Sequence, residues 1–229
     1  MKWVTCQPDV IAVQDAQHAL SYSALDGQSS WMANQLRELG VRGGDRVLLV
    51  GENGVALCVT FLALSKLDAW ASVVNARLSE REIDLFINHS GARRVIYFNN
   101  ISDEAKTHSE RVSASPLITP FGELAIGPVN QQADQEPVEQ DPVGQVAALV
   151  YTSGTTGLPK GVMLTHANLL FVAYSAVRVR HIKPGDRIYG VLPMAHVVGL
   201  STQFLGALCG GATLMLSSRF SPEAAFNAF

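Results

Sequence analysis

The chain reads as an α/β protein of two successive, mostly parallel units related by an internal pseudo-repeat, the second unit incomplete, and three observations predict this. Short β-branched runs alternate with helical patterns through the first half of the 229 residues. Apolar residues make up 48% and charged residues only 16%, a balance that suits strands covered by helices on both faces. A turn, strand and crossover pattern near residue 44 recurs near residue 185.

The elements follow in order. Val10–Val13 and Ala19–Tyr22 flank the polar stretch from Gln14 to His18 and predict a short hairpin. Ser23, with Asp26 three residues on, makes a capping pattern; Leu25, Met32, Leu36 and Leu39 then line one helical face until Gly40 closes it. Arg46–Val50 reads as a buried strand, 55–67 as a helix and Ala71–Val74 as a strand; Ser79 caps the next helix and Arg94–Tyr97 is the strand after it. From Gly127 to Gly144 the chain is polar, broken by prolines and without either period. It reads as a boundary, giving a first unit over 1–126, a linker over 127–144 and a second unit over 145–229. A surface loop inside one domain has the same composition.

Gly44-Asp45-Arg46 returns as Gly185-Asp186-Arg187, an offset of 141. At that offset Val41 meets Ile182, Val47 meets Ile188, Leu64 meets Leu205, and Ala71–Val74 meets Ala212–Met215. Common turn chemistry before strands could produce part of this agreement. The first copy completes a helix after Ser79 and a strand, whereas the second stops at Phe229 inside the matching helix. An incomplete second unit is expected to leave an apolar face and a sheet edge without partners.

Composition also narrows the function. A net charge of −3 gives no electrostatic case for nucleic acid. Cys6, Cys58 and Cys209 are odd in number and far apart, with no metal or disulfide spacing, so a reducing cytoplasm is expected and no metal ligands are assigned. Residues 188–218 carry no Asp, Glu, Lys or Arg, but Pro193, His196, Gln203 and the glycines at 199, 206, 210 and 211 break the run, which reads as a buried strand-helix-strand rather than a membrane span. His18, His89, His108 and His181 stand singly, and Asn75 and Arg77 read as turn and surface.

The chemistry gathers in one run. A buried strand, Ala147–Tyr151, leads straight into Thr152-Ser153-Gly154-Thr155-Thr156-Gly157, with Lys160 three residues further on. Gly154 and Gly157 allow positive φ, so successive N–H groups can face one concavity and take phosphate oxygens, while four hydroxyls and the Lys160 charge add donors. Composition alone fits a flexible turn as well. The spacing is not that of a Walker loop, because Pro159 and Gly161 occupy the positions that would need glycine and Ser or Thr. Neither the GxGxxG nor the GxSxG pattern occurs.

In order and context, residues 151–166 closely resemble the signature of the AMP-forming adenylate superfamily, which includes acyl-CoA synthetases, luciferases of the firefly type and adenylation domains of peptide synthetases. The flanks, 8–26, 40–50 and 192–196, are similar to the front part of such enzymes too. The resemblance implies that a carboxylate is joined to AMP from ATP with loss of pyrophosphate, and that a thiol, usually coenzyme A, takes the acyl group. It assigns Thr152, Ser153, Gly154, Thr155, Thr156, Gly157 and Lys160 to ATP, with Mg2+ accompanying the phosphates. It matches His196 in Leu192–His196 to a catalytic-site histidine lining the acyl pocket and thiol path, with Ala195 where the family has an aromatic. A buried histidine satisfied by backbone is the alternative for His196, and a structural role suits His166 at the next helix start. The lack of an Asp near His196 favours simple fatty or aryl acids over amino acids. Transfer to a carrier protein, or a scaffold that only binds nucleotide, stays open. The family's adenine, ribose and C-terminal lysine motifs would lie beyond Phe229, so these 229 residues are not expected to turn over alone.

Overall fold

The computed structural model describes residues 2–141, 143–152 and 160–228. Two sheets organise them. Strands β1 (Ile11–Gln14) and β2 (Ala19–Ser21) form the expected antiparallel hairpin. Helix α2 (Tyr22–Glu38) follows at once, after a short α1 (Lys2–Cys6). Its N-cap is Ser21, not Ser23: the Ser21 hydroxyl accepts from the Ala24 amide, while the Ser23 hydroxyl donates to Pro8 O. The shift has a packing cause, since Tyr22 is fully buried and its hydroxyl donates to Ala212 O at 2.8 Å, which draws it into the first turn. Leu25, Met32 and Leu36 form the buried stripe, and Gly40 ends the helix at φ 87°.

Next come β3 (Arg46–Gly51), α3 (Val55–Lys66), β4 (Trp70–Asn75), α4 (Glu80–Ser90) and β5 (Arg94–Tyr97), all close to expectation. Ser79 caps α4 in a reciprocal box with Glu82. The sequence left 98–126 unassigned; it forms α5 (Asp103–Arg111) and an antiparallel hairpin, β6 (Ser115–Thr119) with β7 (Gly122–Ile126). Strand β8 (Val146–Thr152) and antiparallel β9 (Lys160–Thr165) complete a seven-stranded sheet of order β6-β7-β5-β3-β4-β8-β9. Within it β5, β3, β4 and β8 are parallel neighbours, whereas both flanks are antiparallel. The sheet is therefore mixed rather than mostly parallel, because antiparallel pairs rather than crossovers end it on each side.

Alternation along β3 shows why the sheet is buried on both faces. Val47 and Leu49 join the core beneath α2 and α3, while Leu48 and Val50 join a second cluster with Ile83 of α4 and Ala105 of α5. Burying each such side chain contributes about 2 kcal/mol.

After helix α6 (His166–Arg180), strand β10 (Arg187–Gly190), a π-helix (Val198–Leu205), α7 (Gly206–Gly210), β11 (Thr213–Leu216) and α8 (Pro222–Ala228) follow. Strands β10 and β11 pair with the N-terminal hairpin in a second sheet, β10-β11-β1-β2. Val13 and Leu214, partners there, belong to the same core as Leu49, so one apolar core joins both sheets.

The repeat persists in its turns. Arg42 N donates to Asp45 and Lys183 N to Asp186, and Gly44 and Gly185 sit at φ 77° and 91°. Its second strand does not keep the offset of 141. Arg46 pairs with Trp70, 24 residues on, whereas Arg187 pairs with Thr213, 26 on, so Ala71 corresponds to Leu214 rather than Ala212. The longer second crossover, which includes the π-helix, accounts for the two residues. Residues 127–141, outside any helix or strand, are tied to the first turn: Glu136 N donates to Gly44 O and Arg46 pairs with the Glu136 carboxylate at 2.8 Å. Strand β9 and the outer face of α6 expose Met163, Phe171, Tyr174 and Val179.

Candidate functional site

Parallel strands β3, β4 and β8 end on one edge of the large sheet. Gly51 stands opposite Asn75, and Ala71 of β4 is in register with Ala148 of β8, so Asn75 and Thr152 follow four residues on along their strands. Carboxyl ends of parallel strands are where α/β folds place ligands, since the crossovers diverge there. Strand β10 of the small sheet brings Pro193, Met194 and Ala195 to the same edge, closing a cleft over Glu52, Asn53 and Asn75.

Thr152 and Lys160 are the paired residues at the connected end of the β8–β9 hairpin, and both are exposed. Ser153, Gly154, Thr155, Thr156 and Gly157, assigned above to the phosphate loop, lie outside the described residues. The strand feeding the loop is anchored just before it. The Tyr151 ring lies 4.4 Å from Phe86 and 5.5 Å from His89, and its hydroxyl is 3.1 Å from His89 Nδ1. Burial raises the Tyr151 phenol above its ordinary pKa, so it stays a neutral anchor.

His196 is exposed at the cleft rim, beside the exposed apolar residues Leu192, Val197 and Val198. The buried-histidine alternative is thereby removed for its side chain. Its amide donates to Pro193 O at 3.0 Å, and its carbonyl accepts from Leu200 N as the π-helix begins. Gly199 is required in that packing, because a Cβ there would overlap the carbonyl oxygens of Pro193 and Leu192. His166 is the first residue of α6, beside the Thr165–Asn168 capping box, and its amide donates to Gln145 O. Burial lowers its imidazole pKa against an opposing pull from Asp68.

Sequence reasoning missed two cleft residues. The Glu52 side chain is 2% exposed, yet it meets Arg77 at 2.8 Å and Arg219 at 3.5 Å. Arg77, read as surface, is therefore held over the cleft by an ion pair. Asn53 is buried, and its side chain hydrogen-bonds backbone groups of the 190–194 segment. The signal was available: Glu52-Asn53 is a polar pair set between the apolar run Val47–Val50 and the apolar start of α3, where buried polar groups need partners. Among the described residues, no three His, Cys, Asp or Glu gather as a metal site, and no helix is long and apolar enough to cross a membrane.

Comparison with known proteins extends this picture. A family model described as AMP-binding enzyme matches residues 1–229. A feruloyl-CoA synthase of Amycolatopsis is 35% identical over 223 residues, covering 96% of this chain and 43% of the relative. A long-chain-fatty-acid–CoA ligase of Mycobacterium tuberculosis is 31% identical over 205 residues, covering 88% of this chain and 40% of the relative. The chain thus spans less than half the length of these curated relatives. Among solved structures, o-succinylbenzoate CoA synthetase from Bacillus subtilis, in complex with its acyl-adenylate intermediate, superposes with a TM-score of 0.78 at 25% identity. That match covers 100% of this chain and 57% of the other.

Proposed function

Because the chain belongs to the AMP-binding enzyme family, we propose that it is the phosphate-binding portion of an acid–thiol ligase, which activates a carboxylic acid as its acyl adenylate and passes the acyl group to coenzyme A. The observation that carries the reading is the order of residues 151–160, in which a buried strand ends at Thr152, a sequence rich in hydroxyls and glycine follows, and Lys160 pairs with Thr152. That is a donor set for an anion.

In the first step a carboxylate oxygen attacks the α-phosphorus of ATP, the bond to the bridging oxygen breaks, and pyrophosphate leaves. The hydroxyls of Thr152, Ser153, Thr155 and Thr156, the amides about Gly154 and Gly157, and the Lys160 ammonium bind the β- and γ-phosphates, so charge building on the leaving group meets fixed donors. Magnesium, held through the triphosphate it accompanies, supplies further charge neutralisation. In the second step a thiol sulfur attacks the acyl carbon and AMP departs. His196, at the rim with Leu192, Val197 and Val198, stands between the acyl chain and the arriving thiol.

The apolar rim suits fatty or aryl acids, and the resemblance to ligases named for feruloyl and long-chain fatty acyl groups supports that class. The test is pyrophosphate release by the natural product of the gene that carries this chain, given ATP, magnesium and a panel of aryl and fatty acids. Acid-dependent release is expected. Absence of release with every acid would sink the reading.

A further inference from the structure

We infer that Asn53 is the positioning residue for the wall that carries His196, with Gln203 as its partner. The inference rests on the role proposed for His196. Beyond Gly190 the chain leaves β10, the outer strand of the small sheet, and its backbone groups lose strand neighbours. Such groups need partners when buried. Asn53, 137 residues away in sequence, provides them: its Nδ2 donates to Gly190 O at 3.1 Å and to Leu192 O at 3.0 Å, and its Oδ1 accepts from Met194 N at 2.9 Å. Both hydrogens and the carbonyl of the amide are thereby used, and the donor at Met194 together with the two acceptors fixes which way the amide points.

Gln203 completes the clamp from the other side, accepting from Leu192 N at 3.0 Å and donating to Tyr189 O at 3.1 Å. The clamped residues run into the Pro193–His196 turn, so the position of the imidazole follows from them. Asn53 itself is 5% exposed and sits at the end of β3, the centre of the large sheet. It therefore couples the substrate wall on one sheet to the strand ends on the other. No apolar side chain can do this, and Asp can do it only in part, because a carboxylate would face two carbonyl oxygens.

The test is amide hydrogen exchange and imidazole proton NMR on the 229-residue chain. Asn53→Ala is expected to speed exchange at Met194 by about tenfold, as a local opening, and to move the His196 resonance while the other five histidines stay in place. Asn53→Asp keeps the acceptor for Met194 N, so it is expected to keep that amide protected and still move His196. Gln203→Glu is expected to disturb Tyr189–Leu192 and His196 in the same manner, and it carries the test if Asn53→Ala does not fold. Unchanged exchange and an unmoved His196 signal would overturn the inference. So would a rise spread evenly over the chain with no excess at 190–196. Failure of the proposed function is read separately, from acyl transfer by the natural gene product: if His196→Ala leaves it unchanged, the role of the histidine falls whatever the exchange result.

Discussion

Replacing Gly44 and Gly185 by alanine, one at a time, sets the same substitution on the same turn of the two repeat copies with different surroundings. Both glycines have positive φ, 77° and 91°, so each alanine meets the left-handed penalty of about 1–2 kcal/mol. At Gly185 nothing lies within 4 Å of the added Cβ, and that penalty is the whole cost. At Gly44 the Cβ overlaps the Glu136 carbonyl, so the 134–136 segment has to lift away. Lifting it breaks the Glu136 N to Gly44 O bond, about 1 kcal/mol, and the partly exposed Arg46–Glu136 pair, about 0.5 kcal/mol. The expected losses are about 1.5 kcal/mol for Gly185→Ala and about 3 kcal/mol for Gly44→Ala. With a urea slope of about 2.5 kcal/mol/M, the midpoints fall by about 0.6 M and about 1.2 M. Equal shifts at unchanged slope would refute the claim that the 127–141 segment is locked onto the first turn.

Two further outcomes follow from burial. The folded-state pKa of His166 lies below its ordinary value of 6.5 because burial disfavours the charged ring, Asp68 opposing. As pH falls through that value the unfolded chain takes up the proton first, so stability present at pH 7 and above is lost on acidification. His166→Gln should therefore flatten the fall in urea midpoint between about pH 7.5 and 5.5, and an unaltered slope would contradict it. Burial, with Asp15 adding, pushes the Cys58 thiol well up, whereas Cys6 is exposed. A thiol reagent should label Cys6 at once and Cys58 only on unfolding; rapid loss of all three thiols in the native chain would be inconsistent with the packing.

Local structure was largely legible because it is encoded locally. The Met32 and Leu36 stripe, the Ser79 box and the alternating β3 core follow from spacing that any reader can count. The misplaced α2 start shows the limit: Ser21 and Ser23 are equal as caps, and only the burial of Tyr22 against Ala212, 190 residues away, decides between them. Sheet membership is likewise non-local. That β8 joins β4 and β1 joins β11 depends on crossovers whose geometry has no short-range signal, and the two-residue excess of the second crossover hid the register of β11. At the site, the motif order pointed to Thr152 and Lys160, which pair in the β8–β9 ladder, and to His196, which is exposed next to the cleft-lining Ala195. Glu52 and Asn53 were passed over, and the ion pair of the exposed Arg77 with Glu52 was not foreseen, because a polar residue after a strand reads as loop until its partners are known.

Whether residues 152–160 bind the phosphates of ATP is read by calorimetric titration of the chain with ATP and magnesium, beside Lys160→Ala. Lys160 lies exposed at a hairpin end, and its side chain has no hydrogen bond or ion pair among the described residues, so its removal should leave folding intact. Saturable binding is expected, weakening by about tenfold or more without the ammonium, the scale of one charge-assisted phosphate contact. No binding by the wild-type chain, or equal affinity in the variant, would contradict it.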